Sequence, residues 1–379
     1  MDLNNAAMSV SFCPETGEPM VRVQESPRDD GRSGRSVTFA GGSLRPLGYA
    51  ELLQANPGNT ISIPIDLDDA RLLDTNIEGL DESVKYTAKA PVFESHFTSR
   101  AIGLVKGGWL PPALAASNNT TILIDRNIVS QIVGRFDGGR AVGSDPDFLD
   151  LFADRPLKIS PVLFAMEGNT RATPTPEQVR GQLDEFIAKF RAALPATKLV
   201  VDSNVEKGIL GSIEDTRAGF AKRQKFLMSV APRLVAPVAR AKVPARRDEV
   251  LSIADQCGVA RGSLVVLAAL SVVFVANGAS PAKRLLKIRA EYRDEDAYNA
   301  LVDLRSLEML IYVFARLPDL PAMLCTADKD LALFWVGIQA SNFEKKGAGV
   351  SCDLLPIDAL LPGFANEWPN ISGGSQLAD

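Results

Sequence analysis

Thr120-Thr121-Ile122-Leu123-Ile124-Asp125-Arg126-Asn127 decides how this chain is read: a short strand-like run ends abruptly on a carboxylate, with an amide two places on. Apolar and β-branched residues without polar interruption suit a strand buried on both faces, the kind found in parallel sheets covered by helices. Outward from this stretch the pattern recurs. The apolar run Pro161–Met166 is expected as a second strand and ends on Glu167. Asp303 opens a helical stretch that continues from Leu304 to Ala315, and Leu320–Cys325 runs into Thr326-Ala327-Asp328-Lys329-Asp330. A carboxylate at the end of a buried strand is costly unless it is paired or binds a metal. Several of them on one sheet edge point to a hard-cation site.

The chain of 379 residues can bury a large core as one long domain or two smaller ones. With 46% apolar and 23% charged residues it reads as an ordinary globular protein. A net charge of −5 supplies no global attraction for nucleic acid, so any such attraction must be local. Cys13, Cys257, Cys325 and Cys352 are far apart and form no Cys-x-x-Cys pair. That argues against a zinc ribbon and a disulfide framework, and suits a reducing, cytoplasmic setting. His96 is the only histidine and lies away from any nucleophile motif, so catalysis here is expected to be carboxylate chemistry.

Residues 1–112 read as a region of their own, with a polar turn-rich stretch at Glu25–Arg35, strands at Ser36–Phe39 and Thr60–Asp66, and a short helix at Gly48–Ala55. Gly107–Pro112 is expected to be the break before an α/β domain over 113–379. Helices are expected at Asn127–Phe136 and Pro146–Ala153. A longer one runs from Pro176 to about Leu194, with Thr175 as N-cap and Pro176 at the first helical position. A helical insertion covers about 175–293, almost wholly helical from about 206, with Lys198–Val201 a strand or the start of the next helix, and a C-terminal tail covers about 345–379. Ser263–Ala276 is membrane-like in composition, but its 14 residues fall short of the roughly 20 that span a bilayer. It is expected to be a core element. The opening residues lack the apolar core of a secretory signal.

Between Arg217 and Arg247 cations accumulate without one acidic residue: Lys222, Arg223, Lys225, Arg233, Arg240, Lys242 and Arg246. Lys283, Arg284, Lys287 and Arg289 follow. The run could bind a phosphate backbone or form a solvated face balanced by acidic neighbours. Lys222, Arg223, Lys225, Arg240, Lys242, Arg246 and Arg247 are the candidate nucleic-acid contacts.

The spacing of the acidic residues carries the functional reading. Ligands of parallel α/β sheets bind beyond the carboxyl ends of the strands. Asp125 and Asp328 each follow such a strand, and Asp303 shares a helix face with Ala300 and Asp296. Oxygen-only ligands select Mg²⁺ or Mn²⁺ over zinc. Taken singly, each residue also fits a bland role: Asp125 and Asp328 as helix caps, Asp303 on a solvated face, Glu167 in a turn.

Ile122-Leu-Ile-Asp125-Arg-Asn127 resembles the first strand of PIN-domain nucleases, and Leu324-Cys-Thr326-Ala-Asp328-Lys-Asp330 is similar to that family's closing Thr-x-Asp-x-Asp segment. Asp303 stands where these proteins place a helical Asp, and Glu167 matches the remaining acidic position more loosely. The resemblance covers roughly 119–170 and 290–342. It implies a three-layer α/β/α domain with a mainly parallel sheet and Mg²⁺ or Mn²⁺ held by Asp125, Asp303 and Asp328. Glu167 and Asp330 would complete the catalytic set, with Asn127 and Thr326 as orienting groups. Hydrolysis of RNA, less often of DNA, is the implied activity, and an inhibitory partner or a homo-oligomer fits the same reading. Some 135 residues separate Glu167 from Asp303, which requires a large insertion or a different acidic residue; Asp150, Asp154 and Glu177 are the substitutes. A haloacid-dehalogenase-like phosphatase is disfavoured because Asn127 fills its third-position Asp. The rival reading is a catalytically inactive protein of the same fold that binds nucleic acid or a protein partner.

Overall fold

The structure is a computed structural model, and it describes residues 6–13, 18–27, 34–41, 43–96, 100–116, 119–143, 148–153, 157–167, 171–202, 204–347 and 349–372. The chain is mixed α/β, built around a six-stranded mixed sheet. Across that sheet the strands run Lys198–Leu199, Lys158–Ser160, Thr121–Ile124, Ala322–Thr326, Ile102–Val105, Gly108–Leu110. The first four are parallel, and the last two are antiparallel.

Alternate side chains of the central strands serve two different cores, as the strand period of two requires. Ile122, Ile124, Met323 and Cys325 pack with Ile128, Val129, Phe186 and Phe190 from helices Arg126–Arg135 and Pro176–Ala193. Leu123 and Leu324 face the opposite way, into a core with Leu301, Leu304 and Leu307 of helix Asp294–Arg316. Burial on both faces explains the unbroken apolar character of the first strand. Helix Leu264–Phe274 sits inside the larger core, with the ten residues Leu264–Val273 all buried. At roughly 1.5–3 kcal/mol per buried large aliphatic side chain, it is a core element in energetic terms too. Among the described residues no helix is long and apolar enough to cross a membrane.

Several expected elements shift. Pro161–Met166 is not a strand; the strand is Lys158–Ser160, and helix Val162–Glu167 follows at once. A short apolar run buried against three helices has no period that separates strand from helix. The helix opening at Pro176 ends at Ala193 and is capped by Thr175, whose hydroxyl accepts from the Gln178 amide while the Gln178 side chain accepts from the Thr175 amide. The segment expected near Pro146 is a 3₁₀ turn, Phe148–Phe152. The helical insertion comprises Val205–Val230, Val243–Cys257, Leu264–Phe274 and Pro281–Leu285.

The first hundred residues form a second sheet, antiparallel, with Thr60–Thr75 paired to Ser36–Ala40, Ser43–Leu44 and Lys85–His96. Gly107–Pro112 is no boundary: it includes the hairpin turn and edge strand that attach Ile102–Leu110 to the central sheet. Leu47 and Trp109 exchange backbone hydrogen bonds of 2.9 and 3.1 Å and so join the two sheets. Nor is the C-terminal segment a tail. Hairpin Ser341–Lys346/Gly349–Asp353 and the buried Leu360, Leu361, Phe364 and Trp368 close the larger core. Glu25 and Arg35 close the base of the polar loop with a bidentate ion pair; the loop's centre lies outside the described residues.

Candidate functional site: a carboxylate cluster at the switch point

Strand order places the site. From Thr121–Ile124 the chain adds strands outward on one side, Lys158–Ser160 and then Lys198–Leu199, and later returns to the other side with Ala322–Thr326. The reversal leaves a crevice at the carboxyl ends of the two adjacent central strands. Their parallel register pairs Ile124 with Cys325, so Asp125 and Thr326 emerge side by side; the Asp125 amide donates to the Cys325 carbonyl.

Asp125 caps the next helix, accepting from the Ile128 amide at 2.8 Å. Its carboxylate also accepts from the wholly buried Thr326 hydroxyl and from the Ala327 amide. Burial raises its pKa, those hydrogen bonds pull it back, and the nearby Asp328 charge raises it further, leaving it above the usual range. Thr326 Oγ1 accepts in turn from the Asp328 amide at 3.0 Å, so one hydroxyl links both acidic residues. Asp328 caps helix Lys329–Ile338, accepting from the Asp330 and Leu331 amides. The capping role and a place in the cluster thus coincide in the same two residues.

Asp303 comes from the middle of helix Asp294–Arg316, and its Oδ2 is enclosed without a geometrically sound hydrogen bond. Lys287 Nζ lies 2.8 Å from that oxygen. Burial drives Asp303 up to about 6 despite the lysine, and the charges of Asp328 and Asp125 add to the rise. Burial works to lower Lys287, yet Asp303, Asp328 and Asp330 together hold its pKa above normal. Its backbone is left-handed, φ 55°, a conformation that costs a non-glycine residue free energy and recurs at functional sites. Glu167 ends its short helix and rises to about 7 through burial, opposed by Arg126 and reinforced by Asp303 and Asp125. Arg126 Nε lies 3.9 Å from Glu167, with its guanidinium 4.1 Å over the Phe164 ring. Tyr298, on the helix of Asp303, holds the same corner by donating to the Glu167 and Ala172 carbonyls.

Asp125, Glu167, Asp303 and Asp328 therefore share one electrostatic neighbourhood. Asp330 stands at its edge, gripped by Arg284 through two contacts of 2.5 and 2.7 Å. Asn127 is exposed on the first helical turn, and no hydrogen bond joins its side chain to the cluster. Asp150 is taken by Arg135 in a bidentate pair, Glu177 lies exposed in the first turn of its own helix, and Asp154 lies outside the described residues. Among the described residues, no three acidic, cysteine or histidine side chains close on a single point as a metal shell does. Arg126 and Lys287 were missed as site residues. The first had a signal, its place directly after Asp125; the second had none beyond its membership of a cationic run.

The basic stretch is neutralised internally in part. Arg223 pairs with Glu308 at 2.5 Å, Arg233 and Arg246 share Glu249, and Arg247 pairs with Asp248 and lies over Phe364. Lys222, Lys225, Arg240 and Lys242 remain exposed. No protein-family model, curated protein or solved structure matches the chain.

Proposed function

We propose that this chain is a metal-dependent phosphodiesterase acting on nucleic acid, RNA ahead of DNA, in a PIN-like three-layer domain. One observation carries the reading. Carboxylates from four separate elements meet at the switch point, near enough that burial and mutual repulsion raise Glu167 to about 7 and Asp303 to about 6. Burial is the larger cause and repulsion adds to it; carboxyls raised in this way are costly in a fold and cluster at functional sites. The strand order and the helices over both sheet faces agree with a doubly wound domain; the preference for RNA follows from the sequence resemblance alone.

The donor set suits Mg²⁺ or Mn²⁺, being oxygen only, and the enclosed Asp303 Oδ2, which faces the Lys287 ammonium at 2.8 Å, is an acceptor for which a metal ion would compete with the lysine. Asp125, Asp303 and Asp328 would have to draw together to hold the ion, since no three such side chains among the described residues close on one point. When bound, it supplies Lewis acidity and acidifies water. The chain's own groups do the rest. Glu167, half-protonated near neutrality, can take a proton from an attacking water. Thr326 keeps Asp125 oriented, and Arg126 and Lys287 offset charge gathering on phosphate oxygens. Asp330 holds Arg284 in place. Asp125→Asn is expected to abolish Mn²⁺-dependent cleavage of single-stranded RNA while the circular dichroism spectrum stays native. Undiminished cleavage by that variant would overturn the reading.

A second reading has its own support. Lys287 already supplies a cation to Asp303, which suits a fold that keeps the cluster and binds nucleic acid or a protein without cutting it. It predicts salt-sensitive binding with no cleavage under any divalent ion.

A further inference from the structure

Beside the carboxylate cluster lies a cleft of about 570 Å³, within the range of ligand sites. Lys283, Arg284, Lys287 and Arg289 line it, with Asp296 the one acidic residue on its wall and Asn299 a neutral polar one. We propose that this cleft binds the phosphodiester backbone of a single-stranded nucleic acid. The inference rests on the phosphodiesterase reading only for what happens next to the bound strand.

The two arginines are built for it. Arg284 grips Asp330, and Arg289 grips Asp296, each through Nε and one terminal nitrogen of the guanidinium. That fork fixes the side chain and leaves the other terminal nitrogen directed away from the carboxylate. Both side chains stay more than half exposed, at 62% and 58%, so the outer edges are open to a ligand. An arginine held in this way has lost its rotamer freedom before an anion arrives, which lowers the cost of binding. Lys283 is anchored differently: its ammonium donates to the Val235 carbonyl at 2.7 Å, a neutral partner that leaves its charge uncompensated. Lys287 and Arg284 each face both ways, lining the cleft while pairing with Asp303 and Asp330. A strand seated on the arginines would run toward the carboxylates, and a cleft this size admits a single strand rather than a duplex.

The test is fluorescence anisotropy of a labelled oligouridylate and the matching oligothymidylate with the full chain in EDTA, so that cleavage plays no part. Binding is expected to weaken with salt. The double variant Lys283→Gln/Arg289→Gln should weaken it at least tenfold and flatten the log–log salt slope by about one to two. Asn299→Asp, which adds a negative charge without removing a contact, should weaken it as well, covering the case in which the double variant misfolds. Lys345→Gln/Lys346→Gln, on the exposed C-terminal hairpin and outside the cleft lining, should leave it unchanged. Absent salt-dependent binding, indifference to both cleft changes, or equal loss from the control pair would each overturn the proposal. A strand that binds here and is never cut with Mn²⁺ would leave the cleft standing and remove the hydrolytic reading instead.

Discussion

Replacing Asp303 by Asn should make this protein more stable and functionally worse. The folded protein holds Asp303 at about 6 against a usual 3.8, a rise that already includes the attraction of Lys287. The raised value means that the folded state binds the proton more tightly than the unfolded one does. Stability contributed by this group is therefore greatest below the unfolded pKa, falls as pH climbs from about 4 to 6, and stays reduced above that. Taken at face value, the difference is about 3 kcal/mol of destabilisation at neutral pH. The side chain is 30% exposed, so screening reduces it to about 1–2 kcal/mol. Asn mimics the protonated carboxyl in shape and removes the penalty. Urea denaturation at pH 7.5 should show a stabilised variant, with the gain cut to about half at pH 5. Added Mn²⁺ should stabilise the wild type by mass action and the variant far less. A variant less stable than wild type at pH 7.5, or a gain independent of pH, would refute the argument that burial of this carboxylate among others costs the fold free energy.

Three further outcomes are expected. Thr326→Val removes the hydroxyl shared by the Asp125 carboxylate and the Asp328 amide, and should cost about 1–3 kcal/mol relative to Thr326→Ser, which keeps it; equal urea midpoints for the two variants would count against the linking role. Lys287→Met withdraws the ammonium from Asp303 and should tighten Mn²⁺ binding, read by electron paramagnetic resonance of the free ion, by tenfold or more. Weaker binding would mean that the lysine supports the site rather than competing for it. Gly108→Ala would put a Cβ 2.2 Å from the Leu47 carbonyl oxygen, where backbone must shift, and should lower stability by about 2 kcal/mol or more. An unchanged melting temperature would show that the join between the two sheets is slack.

Much of this architecture was legible in the residues, for local reasons. Thr121–Ile124 is β-branched and apolar with no polar face, which suits a doubly buried strand. Thr175 and Pro176 announced a helix start through capping chemistry that acts within four residues. Ser263–Ala276 was too short to span a membrane and too apolar to face water, which left the core. Pro161–Met166 went the other way, because a run that short carries no period to separate strand from helix, and contact with surrounding helices decided it. Gly107–Pro112 reads as a break by its turn residues; Gly108–Leu110 folds back on Ile102–Val105, and the pairing of Ile102–Val105 with a strand more than two hundred positions later carries both into the central sheet.

The candidate site divides along the same line. By itself the sequence placed Asp125 and Asp328 after strands and Asp303 on a helix, because chain order and local propensity are properties of neighbours; Glu167, expected at a strand end, closes a helix instead. Tertiary structure alone decided which of them share a field. Parallel register sets Asp125 beside Thr326, and a helix from a distant part of the chain brings Asp303 over the sheet edge. A turn before that helix delivers Lys287 into their midst. Electrostatic coupling depends on separation in space and on exclusion of water, and neither is encoded in any one stretch of residues.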